Sequence, residues 1–133
     1  MLRRIYVETE TIAVVGASDD PTKHAPSIPE YLRSQGYRIV AVNGHGGEVM
    51  GETAYPSLGE VPVPVDVVDV FRPAEEAPGI AEEAAAIGAK VLWLQRGIVS
   101  KEARRIAAEH GMVFVENICM GATHAIFGIP SKT

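Results

Sequence analysis

Cysteine is the scarcest chemical resource in this chain, which carries one thiol, Cys119. A single cysteine excludes an internal disulfide and leaves no set of thiols to hold zinc. Long apolar runs are missing too. No stretch approaches the roughly 18 residues of a membrane-spanning helix, and the opening MLRRIYVETE lacks the apolar centre of a signal peptide, so a cytoplasmic protein is expected. Positive charge is in deficit, with 12 Lys and Arg against 17 Asp and Glu and a net charge of −5. Nucleic-acid binding needs a basic face, so a small molecule or another protein is the expected partner. The catalytic signatures G-x-S-x-G and H-E-x-x-H do not occur. His24, His45, His110 and His124 are scattered at no metal-ligating spacing, so neither a metal nor a catalytic residue is implied.

What is present describes an ordinary globular protein: 133 residues, 47% apolar and 22% charged. That length suits one domain over 1–133, burying roughly two thirds of its unfolded surface without staples.

The most informative stretch is TIAVVGASDDPTKHAP, residues 11–26. The β-branched run 12–15 reads as a buried parallel strand ending at Gly16. Small and polar residues follow it, and a helix opening near Pro26 would aim its positive end at the same place. Such a loop cradles phosphate or pyrophosphate, although strand, glycine and polar turn also describe a plain strand-to-helix connection. The dinucleotide fingerprint G-x-G-x-x-G fails, because Ser18 and Pro21 stand where its second and third glycines belong.

Further along, strand and helix signals alternate. Residues 1–10 are ambiguous between a short helix and an edge segment. A helix is expected over 26–34, a strand over 38–42, a short strand at 52–54, and one helical turn capped by Ser57. Residues 65–71 (VDVVDVF) form the strongest strand signal, with Asp66 and Asp69 three residues apart and therefore on opposite faces. One aspartate is expected to bridge to a neighbouring loop and the other to be partly exposed. A helix over 73–87, a strand over 90–94, a helix capped by Ser100 and running to His110, and a strand over 113–115 complete the chain. This alternation implies an α/β, doubly wound, Rossmann-like and mostly parallel sheet of five or six strands with helices on both faces.

Ligands of such sheets bind beyond the carboxyl ends of the strands, where strand order reverses. The loops to inspect are therefore 16–24, 43–47, 71–73, 95–99 and 116–121. They hold the cations Lys23, Arg72 and Arg96 and the neutral donors Ser18 and Asn43, all suited to phosphate. Asn43 also stands where a protein reading the ribose of NAD places a carboxylate.

Taken together, IAVVGAS (12–18) with Lys23 and His24 behind it, VN (42–43), YPSL (55–58), DVVDVFRP (66–73), GAKVLWLQRGIV (88–99) and ENICMG (116–121) resemble the small single-domain CoA-binding proteins. Their domain is similar to the N-terminal CoA-binding domain of the succinyl-CoA synthetase alpha subunit. The resemblance implies coenzyme A held across the carboxyl edge. Gly16, Ala17, Ser18, Lys23 and His24 would lie at the nucleotide and its phosphates, with Val42 and Asn43 beside the adenosine. Phe71, Arg72 and Pro73 would line the cleft, Gln95, Gly97 and Ile98 would border the pantetheine, and Asn117 would lie near its thiol end.

The synthetases also use a second domain with a phosphorylated histidine, and a glutamate where this chain has the Gln95-Arg96 pair before Gly97. A CoA or acyl-CoA carrier, sensor or regulatory module without ligase activity is thus expected. A small NAD(P)-dependent oxidoreductase and an interaction module with a vestigial cleft are the alternatives. Cys119 is either a small packed hydrophobe or a thiol able to form a mixed disulfide with CoA.

Overall fold

A computed structural model describes residues 2–16, 27–44, 46–49 and 51–132. The chain runs α1 (Leu2–Glu8), β1 (Thr11–Val15), α2 (Ser27–Ser34), β2 (Arg38–Val42), β3 (Glu48–Val49), β4 (Glu52–Tyr55), β5 (Val67–Val70), α3 (Ala77–Ala86), β6 (Val91–Leu94), α4 (Lys101–Glu109), β7 (Val113–Val115) and α5 (Met120–Ile126). Single 3-10 turns at Leu58–Glu60 and Ala74–Glu76 precede β5 and α3.

The seven strands form one sheet in the order β3-β4-β2-β1-β5-β6-β7. Every pairing is parallel except β3 with β4. The chain starts in the middle, winds outward through β2 and β4, then returns to the other side of β1 to build β5, β6 and β7. Strand order therefore reverses between β1 and β5, whose carboxyl ends at Val15 and Val70 lie in register. The sheet is doubly wound and Rossmann-like, as the alternation implies. Its seventh strand is the two-residue β3, too short to leave a periodic signal.

Period-two alternation divides the core into two layers. Ala13, Val15, Val68, Val70, Leu92 and Leu94 face α3 and α4, whose small residues Ala77, Ala81, Ala84, Ala103 and Ala107 let helix and sheet approach closely. Ile12, Val14, Val67 and Trp93 face the other way, toward Ile5 and Tyr6 of α1, Leu32 of α2 and Met120 of α5. Ser100 caps α4 as expected, its hydroxyl accepting from the Ala103 N–H at 3.1 Å.

Further expectations change, among them the cap at Ser57, whose side chain makes no capping hydrogen bond to the turn Leu58–Glu60. The helix expected over 73–87 begins with a 3-10 turn and becomes α-helical only at Ala77, because Pro78 favours a first-turn position. Met120 and Gly121, at the end of the loop expected over 116–121, instead open α5, whose remaining residues had no assignment from the sequence. Asp69 is not partly exposed: it is fully buried, in register with Val14 and Trp93 on the α1/α2/α5 side.

Asp66 is the bridging aspartate. It sits at the amino end of β5, where its Oδ2 accepts from the Glu10 and Thr11 N–H groups at 3.0 Å and its Oδ1 lies 3.4 Å from Lys90 Nζ. Partial burial works against its charge. The two backbone donors and Lys90 outweigh burial and hold its carboxyl below the usual range.

Candidate functional site at the carboxyl edge

Gly16 follows β1 directly and occupies the left-handed region at φ +94°, with its N–H donating to Val42 O at 2.8 Å. A Cβ there would stand 2.8 Å from Arg72 Cδ and 3.2 Å from Phe71 O, so only glycine fits. The Arg72 stem thus lies across the end of β1, at the point where strand order reverses. Its guanidinium forks onto Glu76, Nη2 to Oε2 at 2.6 Å and Nε to Oε1 at 3.1 Å. The Glu76 hydrogen bond leads in raising the arginine's pKa, as the Arg72 hydrogen bond does in lowering that of the glutamate.

On the β2 side, Val42 is buried and Asn43 is half-buried, with its N–H donating to Tyr55 O at 3.0 Å. Phe71 is half-buried beside Arg72, and Pro73 is exposed. Ala17, Ser18, Lys23 and His24 lie outside the described residues.

On the β6 side, polar side chains fasten residues 116–120 in place. Gln95 is buried, and its Oε1 accepts from the Met120 N–H at 2.9 Å. The exposed Asn117, at φ +61°, uses Oδ1 to accept from the Gly97 N–H at 2.7 Å. Glu116 accepts from the Ser100 N–H at 3.0 Å and from Arg104 at 2.6 Å, while Trp93 Nε1 donates to Ile118 O at 2.7 Å. From α1, Tyr6 donates its hydroxyl to Met120 O at 2.6 Å. Ile98 is half-buried beside this segment. Cys119 is half-buried, and its sulfur accepts from the Ala122 N–H at 3.5 Å as the N-cap of α5.

Beneath this edge, α5 is packed against α2. A Cβ on Gly121 would come within 3.1 Å of Ile28 Cγ2, a close approach that glycine permits. Beside it His124, 1% exposed, shares a 2.8 Å hydrogen bond with the Tyr31 hydroxyl and meets the Tyr6, Tyr31 and Tyr37 rings edge-on at 5.3, 5.4 and 5.8 Å. Burial lowers the His124 pKa, and chiefly burial pushes the Tyr37 hydroxyl up to about 12. Among the described residues neither carboxylate oxygen of Asp69 has a hydrogen-bond partner, and burial raises its pKa well above the usual carboxylate value. Among the described residues no His, Cys, Asp and Glu cluster could hold a metal ion, and no helix is long and apolar enough to cross a membrane.

The structure thus brings Gly16, Val42, Asn43, Phe71, Arg72, Gln95, Gly97, Ile98 and Asn117 to one edge of the sheet. The model of the CoA binding domain family matches residues 10–125, spanning every element from β1 into α5. The chain belongs to the CoA-binding domain family. This CoA-binding domain is 36% identical over 125 residues to the Bacillus subtilis protein YneT, covering 94% of this chain and 93% of that one. It is 32% identical over 127 residues to the alpha subunit of an ADP-forming acetate–CoA ligase II of Pyrococcus furiosus, covering 86% of this chain but 28% of the subunit. A solved structure described as a hypothetical protein from Pyrococcus horikoshii superposes with a TM-score of 0.91 at 36% identity, over 94% of this chain and 88% of that one. The resemblance read from the motifs, to small CoA-binding proteins related to the CoA-binding domain of the succinyl-CoA synthetase alpha subunit, therefore holds. The chain spans less than a third of the ligase subunit it matches.

The motifs did not single out Glu76, Tyr6, Trp93 or His124. Glu76 had a visible signal, standing four residues after Arg72 at the spacing of a helical ion pair. Tyr6 and His124 lie in segments whose structure the sequence left open.

Proposed function

We propose that this domain binds coenzyme A, free or as an acyl thioester, between the carboxyl ends of β1 and β5, as a carrier, sensor or regulatory module without ligase activity of its own. The observation that carries the reading is the crossing of Arg72 over Gly16. It sets an arginine against a glycine that carries no side chain of its own, at the place where a doubly wound sheet receives anions. The edge of β2 ends in Asn43 rather than a carboxylate, which suits a phosphorylated ribose better than the free hydroxyls of NAD. Gly16, Ala17, Ser18, Lys23, His24 and Arg72 then serve the phosphates, and Val42 and Asn43 the adenosine. Phe71 and Pro73 line the cleft, Gln95, Gly97 and Ile98 border the pantetheine, and Asn117 lies near the thiol.

Replacing Arg72 or Lys23 by Ala is expected to weaken CoA by about 1.5 to 3 kcal/mol, the worth of a charge-assisted hydrogen bond. Thermal stability should hardly change in the Arg72 variant, because its ion pair with Glu76 is half exposed and such pairs contribute little to folding. Calorimetric titration of both variants checks this. Parental affinity in both would show that neither cation touches the ligand.

A further inference from the structure

Arg72 already holds an anion. Glu76 occupies two donors of the guanidinium side by side, at 2.6 and 3.1 Å, the bidentate arrangement that phosphate oxygens adopt on arginine. The stem of Arg72 passes over Gly16 at the end of β1, where the strand order reverses. The Glu76 side chain is 47% exposed and closes the 3-10 turn Ala74–Glu76 that leads into α3, so solvent is open to it.

We propose that Glu76 is a built-in stand-in for the ligand's phosphate: it keeps the Arg72 fork aligned, competes with the incoming anion for that fork, and so determines how tightly a polyanionic ligand is held. The proposal rests on the reading of the carboxyl edge as the CoA site. A ligand with several phosphate charges displaces the single carboxylate, which then swings into solvent. A weakly charged ligand does not.

The test is calorimetric titration of CoA into the parent, Glu76→Gln, Arg72→Ala and the double variant, with thermal melts confirming that all four are folded. Competition for one fork makes the two positions non-additive. Glu76→Gln should tighten CoA about tenfold when Arg72 is present and only about twofold when residue 72 is alanine. The same fold-change in both backgrounds would reduce Glu76 to a distant negative charge and overturn the proposal. Weaker binding by Glu76→Gln would also overturn it, since alignment of Arg72 would then outweigh competition. If the parent itself fails to bind CoA, the site assignment falls and this proposal with it. Parental binding with additive variants refutes only the role of Glu76.

Discussion

At pH 8 an Asp69→Asn variant is expected to be far more stable than the parent, and near pH 4 the two are expected to match. Asp69 is fully buried with neither oxygen hydrogen-bonded among the described residues, so the folded protein favours its neutral acid. Its folded pKa lies above the unfolded one. Between those two values the folded state binds the extra proton, and stability falls as pH rises, by about 1.4 kcal/mol per pH unit. The loss begins near the unfolded value of about 3.9 and ends at the folded pKa. Asparagine does not titrate, so the variant lacks that slope. His124 contributes the opposite slope, because its lowered folded pKa costs stability as pH drops below about 6.5, but it is common to both proteins and cancels in the difference. Urea unfolding of both proteins from pH 4 to 8 measures the effect. Parallel stability profiles would mean that the Asp69 carboxyl is solvated or paired in solution.

A second large effect is expected at Gly16. Valine there must adopt φ +94°, a region closed to β-branched residues, while its Cβ displaces the Arg72 stem and presses on Phe71 O. Strain and displacement together are expected to cost about 2 to 4 kcal/mol of stability. CoA affinity should fall further than in Arg72→Ala, because both the cation and the open backbone are lost. Thermal melting and titration of Gly16→Val read the two losses separately. A variant that melts with the parent would show that the loop relaxes without cost.

The sequence revealed those parts whose local signal and tertiary environment agree. Residues 38–42 and 113–115 are short β-branched or aromatic runs bounded by turn residues, and both are strands at those positions. Ser100 precedes a helical stripe and caps it. The α5 segment MGATHAI gave no such sign, since it has seven residues, includes glycine and threonine, and is capped by a cysteine. It is helical because Tyr6 and Gln95 hold Met120 from both sides while Gly121 lets it lie against Ile28.

Asp69 could not be read for a related reason. Alternation places an aspartate on a face, but whether α1 and α5 cover that face depends on contacts more than 50 residues away in sequence. At the site, the loops were legible from topology and motif. The internal bonds of Gln95 and Asn117 were not, because each partner is supplied by another loop.

Whether the carboxyl edge of this domain is a coenzyme A site is decided by titrating CoA and NAD side by side into the same preparation. Saturable binding of CoA at one site is expected, with NAD much weaker, since Ser18 and Pro21 replace the dinucleotide glycines and Asn43 replaces the ribose carboxylate. Tighter binding of NAD than of CoA would contradict it.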